Sequence, residues 1–360
     1  MDYKPKIYVL HGAITNGGDF LIYRRGRALL ESRLGAYFDF IYLPRFEKIK
    51  ISDIKEVDGL IILGGPILSR GLQLQIENIR EMIEHIEKRA GFLPPIVTIG
   101  IGVSGEDFSG YGDYFKGEEV IEFWKKIYES SRLVSVRDIE TKKVLDAYGI
   151  KARLTGCPAL YNPNWQNVAP PGKIDSILIS IPRIGSLKKY DVQNYKAFLT
   201  TMLMLKRAKK EFGSMKIGVA FQHGFSTRTL NIVYRFTKRH EMEVHDLSGK
   251  GIDEDKDITA YSMHMGPRLH LHIYFLTLKK PSYLMDIDHR TNAFLKTIKT
   301  PSSLFTMRQT KKAIRAVKSP EVIQQFERTE DEINRFRKTL ELFLEDVKVL
   351  FLENKENGGR

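Results

Sequence analysis

The chain has 360 residues, of which 42% are hydrophobic and 28% are charged. This is the composition of a globular protein, and the length suits two domains of ordinary size. A single cysteine, Cys157, excludes an internal disulfide and is typical of a reducing compartment. No apolar run approaches the roughly 20 residues of a membrane-spanning helix, and the N-terminal residues lack a signal-peptide pattern. The sequence therefore predicts a cytoplasmic protein.

The formal net charge of +13 lies almost wholly in the second half of the chain. Residues 1–170 contain 23 Lys and Arg against 22 Asp and Glu, whereas residues 171–360 contain 34 against 22. A uniformly solvated surface does not explain this asymmetry. The second half alone carries the field that would attract an anionic ligand.

Short apolar runs alternate with helical patterns from the N terminus onward, which is typical of a parallel α/β domain. The predicted strands are Lys6–Leu10, Phe38–Leu43, Gly59–Leu63, Ile96–Ile101, Leu133–Val136 and a last one near Lys151–Thr155. The predicted helices are Leu21–Leu34, Leu74–Arg89, Val120–Ser130 and Ile139–Tyr148. We expect this N-terminal Rossmann-like domain to span residues 1–160.

A proline-rich segment, residues 161–173 (YNPNWQNVAPPGK), has no hydrophobic period and predicts a linker. A second alternating unit follows over residues 174–318. Its predicted strands are Ser176–Ile181, Lys216–Phe221, Glu243–Asp246, Thr259–Met263 and Ser282–Asp286. Its predicted helices are Val192–Phe212, Thr227–Arg239, one from about Pro267, and Thr291–Ile298. The pattern predicts two Rossmann-like domains facing across a cleft, with ligands at the carboxyl ends of the strands.

Residues 319–360 depart from this alternation and predict a long amphipathic helix. Its apolar positions follow a 3-4 spacing: Ile333, Phe336, Leu340, Phe343, Val347 and Leu350. The heptads are too few to require a coiled coil. A structural brace packed across the domains is favoured over a dimer seam, and a homodimer stays open as the alternative.

Two strand-end segments of the first domain are candidates for function. In His11–Asp19 (HGAITNGGD), glycines let the backbone approach a ligand, and Asp19 can cap the helix or bind a hydroxyl. A plain tight turn is an equal alternative there. In Ser135-Val136-Arg137-Asp138, the adjacent Arg and Asp favour a structural ion pair over a charge presented to a ligand. Cys157 is predicted to be a buried small residue, because nothing around it indicates an activated thiolate.

The segment Tyr261–His270 (YSMHMGPRLH) is the most informative in the chain. A strand ends, glycine makes the turn, and Pro267 is placed at the first helical position, which favours proline. Arg268 and His270 then fall in the first helical turn, where backbone N–H groups and the helix dipole bind anions. Arginine offers a planar fork to carboxylate or phosphate, and histidine transfers protons near neutral pH. The segment therefore predicts an anion site.

The histidines of this region do not predict a metal site, although there are four of them: His264, His270, His272 and His289. Two of them, His270 and His272, are two positions apart on a helix and point to different faces. No carboxylate has ligand spacing to them. We expect neither a metal nor another cofactor.

Several of these segments occur together in an order that resembles the polysaccharide pyruvyl transferase family. They are Asn16-Gly17-Gly18-Asp19, Ser135-Val136-Arg137-Asp138, Gly156-Cys157-Pro158-Ala159 and Arg268-Leu269-His270, followed by Pro281 and residues 286–296. The resemblance covers the chain up to about residue 300, and the Arg-Leu-His start of an apolar helix is its most specific part. The chain departs from the family pattern at Pro182, at His264–Pro267, and at His289-Arg290, where a lysine is more usual.

The resemblance implies a glycosyltransferase-B-like fold, with the acceptor on the N-terminal side and the donor in the C-terminal domain. It implies transfer of pyruvate from phosphoenolpyruvate, as a ketal, onto two hydroxyls of a glycan or lipid-linked glycan. Donor binding and catalysis fall to Arg268 and His270, with Leu269 between them, and Arg183 is the candidate for a further donor-binding arginine. On the acceptor side the candidates are Asn16 and Asp19.

Two other functions are alternatives for this sequence. A nucleotide-sugar-dependent glycosyltransferase of the same two-domain type would use Arg268 to grip a diphosphate, and fold alone does not separate the two activities. The basic second half would also suit a nucleic-acid binder. No recognised nucleic-acid module is evident and the first half is neutral, so nucleic acid is not the expected partner.

Residues 289–320 contain eight basic residues and no Asp or Glu. Five of them follow the offsets of one helix face: Arg308, Lys311, Lys312, Arg315 and Lys318. A solvated helix face is the simpler interpretation, but such faces usually mix both signs. We predict that Lys311, Lys312 and Arg315 hold a charged acceptor, either an acidic oligosaccharide or a lipid-linked diphosphate at an anionic membrane surface. A lipid-linked acceptor would make the protein a peripheral protein at the inner face of the membrane.

Overall fold

The computed structural model describes residues 3–47, 54, 56–104, 108–185, 191–222, 227–317 and 319–356. These residues form two compact units, each built on its own parallel six-stranded sheet. Unit 1 draws its described residues from Met1–Ile14, Ile22–Pro163 and Asn334–Arg360. Unit 2 draws them from Thr15–Leu21 and Asn164–Ile333.

Unit 1 contains the first six strands in the order β2-β1-β3-β4-β5-β6. They are β1 (Lys6–His11), β2 (Asp39–Pro44), β3 (Gly59–Leu68), β4 (Ile96–Val103), β5 (Val134–Val136) and β6 (Ala152–Leu154). The helices between them are α1 (Gly17–Leu34), α2 (Leu74–Ala90), α3 (Glu118–Ser131) and α4 (Ile139–Ala147), and the first five residues of α1 belong to unit 2. All eight residues of β4 are buried. Helices cover both faces of such a sheet, and its strands therefore read as continuous apolar runs.

Unit 2 contains the other six strands in the order β12-β11-β10-β7-β8-β9. They are β7 (Ser176–Ser180), β8 (Lys216–Phe221), β9 (Glu243–Asp246), β10 (Met263–Gly266), β11 (Ser282–Asp286) and β12 (Ser302–Leu304). The helices are α5 (Val192–Glu211), α6 (Arg228–Arg239), α7 (Leu269–Leu276), α8 (His289–Thr297) and α9 (Met307–Ala316). The strand order reverses between β7 and β10, and ligands of doubly wound sheets bind at the carboxyl ends beside this switch point.

The two faces of the unit 2 sheet differ in chemistry. One face is apolar: Ile179 and Met265 pack there with Leu205 of α5 and Ile314 of α9. Because side chains alternate along a strand, the neighbouring residues Ser180 and His264 lie on the opposite face, where α7 packs. The candidate site belongs to this polar face.

The C-terminal helix α10 (Pro320–Glu356) is the long amphipathic helix that the sequence predicts. Leu340, Phe343 and Val347 are buried in the core of unit 1. A side chain at Gly59 would collide with the ring of Phe351, so the glycine lets the helix lie close to β3. No helix in the described part of the chain is long and apolar enough to cross a membrane.

Most predicted strands and helices agree with the structure to within two residues, and four predictions were wrong in placement. The strand predicted as Gly59–Leu63 continues to Leu68. Residues predicted as the strand Thr259–Met263 begin in a 3₁₀ turn, Lys256–Ala260, and the strand is Met263–Gly266. The helix predicted from about Pro267 begins at Leu269, because Arg268 has the extended conformation of an N-cap. The first helix begins at Gly17, four residues before the predicted Leu21.

Candidate active site

The carboxyl ends of β7 and β10 meet at the switch point of unit 2. Gly266, the last residue of β10, has a φ of 141°, and a side chain there would overlap the carbonyl oxygen and Oγ of Ser180. Only glycine accepts both this conformation and this close approach. The chain then passes through the buried Pro267 and enters α7 at the same edge of the sheet.

Arg268 is fixed at this edge by two hydrogen bonds to β7 and its extension. Its backbone N–H donates to Ser180 Oγ (3.3 Å) and its Nε donates to the carbonyl oxygen of Ile181 (2.7 Å). No described residue accepts a hydrogen bond from either terminal amine of Arg268. The guanidinium is therefore fixed through Nε, and both terminal amines are left to recognise a carboxylate or phosphate.

Two other arginines, Arg183 and Arg290, act electrostatically on Arg268. Burial, helped by the positive charges of Arg290 and Arg183 and opposed by the carboxylate of Asp288, lowers the pKa of the Arg268 guanidinium to about 9. Arg183 is exposed just after β7, and Arg290, in the first turn of α8, forms an ion pair with Asp288 (2.6 Å). A lowered pKa means that the charged form of Arg268 is disfavoured in the free protein. A bound anion would offset that penalty.

His270 is the second residue of α7, and its imidazole lies against the first turn of α1. A methyl group on Gly18 would lie 2.7 Å from Cγ and 2.9 Å from Cβ of His270, and nearer still to Nδ1. The Asn-Gly-Gly-Asp and Arg-Leu-His segments, 252 positions apart in sequence at Gly18 and His270, are therefore neighbours within unit 2.

Asn16, not Asp19, provides the side-chain cap of α1. Its Oδ1 accepts the backbone N–H of Gly18 (3.1 Å), and its Nδ2 donates to Oδ2 of Asp19 (3.1 Å). Asp19 is the third residue of the helix, which is too far in for the N-cap position. Both candidate acceptor residues thus lie in the turn that faces His270.

The other predicted site residues are spread over unit 2. Leu269 is the half-buried first residue of α7. The basic residues Arg308, Lys311, Lys312 and Arg315 are exposed on α9 and line an open depression of about 610 Å³; Lys318 lies outside the described residues. Helix α9 packs with α5 on the sheet face opposite α7, so this basic stripe and His270 belong to different helical layers.

Two predictions of structural roles, both in unit 1, are confirmed, and the structure shows a further structural role for two histidines of unit 2. Arg137 and Asp138 form a buried ion pair (3.1 Å), and Asp138 also caps α4 through the N–H of Thr141. Cys157 is buried. His264 and His272 are fully buried and hydrogen-bonded to hydroxyl groups.

Among the described residues, no group of three or more His, Cys, Asp or Glu is placed to hold a metal ion. The side chains gathered at the switch point are instead arginine, serine and histidine. Such a set can bind an anion and move a proton.

Two residues of this site, Ser180 and Arg290, were not among the predicted site residues. Ser180 ends an apolar strand, and its only signal was a hydroxyl at the carboxyl end of the strand that opens the domain. Arg290 is the second residue of α8, the helix that follows β11, and a helix N terminus already favours anions. Its proximity to Arg268 depends on β10 and β11 being neighbours, which the sequence does not state.

Unit 1 has a polar cluster of its own at the carboxyl edge of its sheet. The fully buried Arg45 follows β2 and donates from Nη1 to the carbonyl oxygens of Leu63 (3.2 Å) and Gly64 (3.1 Å) and from Nε to Gln75 (3.1 Å). Burial and the positive charge of Arg45 lower the pKa of the adjacent His11 to about 4. These bonds fix the glycine turn in β3.

Comparison with solved structures supports the glycosyltransferase-B-like class predicted for the two Rossmann-like units. UDP-GlcNAc 2-epimerase from Neisseria meningitidis superposes with a TM-score of 0.59 at 10% identity, covering 95% of this chain and 99% of that chain. A putative UDP-N-acetylglucosamine 2-epimerase from Listeria monocytogenes has a TM-score of 0.54 at 9% identity, covering 92% and 91%. The enzyme from Methanocaldococcus jannaschii has a TM-score of 0.50 at 11% identity, covering 93% and 99%. At these identities the likeness concerns the fold alone.

Sequence comparison is more specific than comparison of folds. No curated protein matches the chain. A family model does match it, over residues 16–289, and that range begins in the turn of Asn16 and ends at the first residue of α8, so it contains Arg183, Arg268 and His270 and stops one residue before Arg290. The matched range is well over half of the 360 residues. The chain therefore belongs to the polysaccharide pyruvyl transferase family.

Proposed function

We propose that the protein transfers pyruvate from phosphoenolpyruvate onto two hydroxyls of a glycan as a ketal. The observation that carries the proposal is the Arg268 guanidinium at the start of α7, which is fixed through Nε, lies two residues from His270 in the chain and is within the electrostatic influence of Arg290 and Arg183. Phosphoenolpyruvate bears both a carboxylate and a phosphate, and it needs fixed cations and N–H donors to bind. Family membership supports the pyruvyl transfer, and the arginine cluster supports this donor.

In the proposed mechanism, Arg268 binds one oxyanion of the donor through its terminal amines, while Arg290 and Arg183 offset the remaining charge. Such preorganised cations stabilise a departing phosphate without rearranging during the reaction. The backbone N–H groups at the start of α7 add donors and the positive end of the helix dipole.

His270 is the proposed general acid. Its imidazolium protonates the methylene carbon of phosphoenolpyruvate, leaving a cationic C2 that the first sugar hydroxyl attacks, and the proton of that hydroxyl returns to the imidazole. The second hydroxyl then attacks C2, the C2–O bond to phosphate breaks, and the phosphate leaves with the second hydroxyl proton. The products are the cyclic ketal and inorganic phosphate. Loss of a general acid of this kind lowers turnover by about 10²- to 10⁴-fold.

For the acceptor, we propose that Asn16 and Asp19 contact the sugar beside His270 and that the basic stripe on α9 holds a charged part of a larger acceptor. The first part is supported by the contact between Gly18 and His270. The second is supported by four exposed basic side chains around one depression. Because the stripe lies in the other helical layer, it can serve only an acceptor that extends well beyond two sugar hydroxyls.

The donor is tested with the purified full chain, phosphoenolpyruvate and a panel of β-galactosides and other glycosides, while phosphate and ketal product are measured. UDP-GlcNAc serves as the rival donor. We expect phosphate release only from phosphoenolpyruvate and only with an acceptor. Consumption of the sugar nucleotide with phosphoenolpyruvate untouched would instead identify a nucleotide-sugar-dependent glycosyltransferase.

Two variants test the site. Arg268→Ala should weaken phosphoenolpyruvate binding, which calorimetry measures without any acceptor. His270→Ala should retain binding and lose turnover. Matched controls are Arg239→Ala, at the exposed end of α6, and His85→Ala in α2. Near-normal activity in both site variants would overturn the site assignment.

A further inference from the structure

Two fully buried histidines behind Arg268 have no role in the reaction proposed above. Each uses both ring nitrogens. His264 lies 2.7 Å (Nδ1) from Ser282 Oγ and 2.9 Å (Nε2) from Ser180 Oγ. His272 lies 2.7 Å (Nδ1) from the same Ser282 Oγ and 3.1 Å (Nε2) from Thr300 Oγ1. The result is a continuous chain of side chains that starts at the backbone of Arg268 and ends at Thr300.

The protons in this chain can be counted. Burial holds the pKa of His264 well below its usual value of 6.5, with a further contribution from His272, and burial lowers the pKa of His272 to about 3. Both rings are therefore neutral near neutral pH, and each has one N–H and one bare nitrogen. Ser282 Oγ touches the Nδ1 atoms of both rings and has one proton to donate. Among the described residues its hydrogen-bond partners are these two nitrogens, so its proton is paired only if it donates to one ring and accepts from the other. The two histidines are then opposite tautomers.

The end of the chain at Ser180 decides which tautomer is which. Ser180 Oγ accepts the backbone N–H of Arg268, and Ser180 is fully buried. If His264 also donated to Ser180, the hydroxyl proton of Ser180 would need a third partner in a buried site. If Ser180 donates to His264 Nε2 instead, every group is satisfied, as buried polar groups generally are. The donors then run in one direction: Arg268 N–H, Ser180, His264, Ser282, His272, Thr300.

We propose that Ser180, His264, Ser282 and His272 form one directional, uncharged hydrogen-bond chain that holds Arg268 in place, with Ser180 as the positioning residue. The chain joins β7, β10, β11 and α7, the elements that meet at the switch point. Because the chain is neutral, it adds no charge to a site that already gathers three arginines. Ser180 accepts a hydrogen bond from the backbone N–H of Arg268, and the carbonyl oxygen of Ile181 accepts one from its Nε. Together these two bonds set the direction of the guanidinium group.

The tautomers can be measured directly on the wild-type protein, independently of any activity. Two-dimensional ¹⁵N spectra of the full chain with labelled histidine distinguish Nδ1–H from Nε2–H rings. His264→Gln and His272→Gln variants assign the two signals. We expect His264 as the Nδ1–H tautomer and His272 as the Nε2–H tautomer, both unchanged near neutral pH. The same tautomer in both rings, or a charged ring at neutral pH, would contradict the proposed hydrogen-bond chain.

The positioning role is tested separately and rests on the proposed function. Ser180→Ala removes the acceptor of the Arg268 N–H, and we expect the KM for phosphoenolpyruvate to rise about tenfold, the equivalent of one lost hydrogen bond. The KM for the acceptor should not change. Thr300→Val is the matched control, since it removes a buried hydroxyl at the far end of the chain without touching Arg268. An equal rise of the donor KM in both variants, or in neither, would reduce Ser180 to a structural residue.

The two experiments fail in distinguishable ways. If the wild type shows the expected tautomers but does not bind phosphoenolpyruvate, the proposed function is contradicted and the hydrogen-bond chain is not. Normal phosphoenolpyruvate turnover with both histidines in one tautomer would contradict the chain and leave the function intact. If Ser180→Ala does not fold, the spectra of the wild type still decide the proposal.

Discussion

Gly18, in the first turn of α1, lies against the imidazole of His270, in the first turn of α7, and leaves no room for a side chain between them. The two helix starts therefore approach each other with a glycine at the point of contact. Helix N termini carry unpaired backbone N–H groups and favour anions. The position of the His270 ring thus depends on a residue that itself has no functional group.

A methyl group at this point should displace the ring. In Gly18→Ala, the added Cβ overlaps Nδ1, Cγ and Cβ of His270, and the ring must rotate away. We expect kcat to fall by about 10²-fold, the lower end of the range for a lost acid, with the KM for phosphoenolpyruvate little changed. Alanine is also favoured over glycine inside a helix by about 1 kcal/mol. Thermal unfolding should therefore show a variant that is as stable as the wild type but far slower.

The control for this prediction is Gly172→Ala, in the same unit, where no atom lies within 4 Å of the added methyl group. It should leave both activity and stability unchanged. If Gly18→Ala keeps full turnover, then His270 is not held by this contact and its proposed role as the acid loses its structural support.

Arg268 leads to a prediction about ligand-dependent stability. Burial, Arg290 and Arg183 disfavour its charge in the free protein, and an anion offsets that effect. Phosphoenolpyruvate at about 100 times its Kd should stabilise the fold by about 2.7 kcal/mol. In Arg268→Met the unliganded midpoint of thermal unfolding should stay the same or rise, because one of three mutually repelling cations is gone, and the ligand-induced shift should vanish. Arg239→Met, at the exposed end of α6, should keep the full shift.

An unliganded Arg268→Met protein that is less stable than the wild type, yet still stabilised by phosphoenolpyruvate, would contradict this account. It would show that Arg268 is a structural residue and that the anion binds elsewhere.

The sequence predicts much of this site because its signals are local. Gly266, Pro267, Arg268 and His270 are adjacent in the chain, and helix-start chemistry depends on such short patterns. The exact helix start was wrong, since the hydrogen bond from Arg268 to Ser180, 88 positions away, holds Arg268 in the extended conformation. Ser180 and Arg290 were not predicted as site residues because their proximity to Arg268 depends on the pairing of β7, β10 and β11. A periodicity places a residue on a face of its own strand or helix, but it does not say which other element that face will meet.

The buried histidines predict a loss of stability in acid. His272 binds a proton in the unfolded chain below pH 6.5 but in the folded chain only below about pH 3, and His264 behaves in the same direction. Between these limits the unfolded chain binds more protons than the folded chain. The contribution of these histidines to the free energy of unfolding is therefore complete above pH 6.5 and is lost progressively as the pH is lowered. Each histidine contributes a slope of about 1.4 kcal/mol per pH unit.

This slope is measured by urea unfolding at a series of pH values. Trp165 lies in unit 2 and Trp124 in unit 1, so fluorescence in a Trp124→Phe background reports on the unit that contains the histidines. His272→Gln should reduce the slope by about one proton, whatever it does to the absolute stability. His240→Gln, at the end of α6, is the control. An identical slope in His272→Gln and the wild type would mean that His272 is charged in the folded state.

We also expect turnover to survive removal of divalent metal. In the proposed mechanism, arginines and helix N–H groups hold the anion and His270 moves the proton, so no step requires a metal. The measurement is the phosphoenolpyruvate assay after exhaustive chelation, and again after magnesium, manganese or zinc is restored. A strict requirement that the added metal reverses would reveal a site that the sequence pattern does not indicate.

The last prediction concerns the basic stripe on α9. Reversal of Lys311, Lys312 and Arg315 to Glu changes the charge of the depression they line without touching the buried face of the helix, which contains Ala313 and Ile314. We expect the KM for a large anionic acceptor to rise at low salt, with the KM for phosphoenolpyruvate nearly unchanged. Each basic residue near an anionic surface contributes about 1 kcal/mol, and salt screens this contribution. The same triple reversal of Arg235, Lys238 and Arg239 on α6 gives an equal change of net charge at another exposed face.

The comparison of the two triple variants separates a local effect from a general one. A rise in acceptor KM confined to the α9 variant and abolished by salt would place the charged part of the acceptor at the stripe. Vesicles with and without anionic lipid then distinguish a membrane-bound acceptor from a free acidic oligosaccharide, because only the former requires the vesicle. Equal effects of both variants would trace the acceptor dependence to the net charge of +12 in the second half of the chain. No effect at any salt concentration would leave the stripe as a solubilising face, and the acceptor would then have to be held by the turn of Asn16 and Asp19 beside His270.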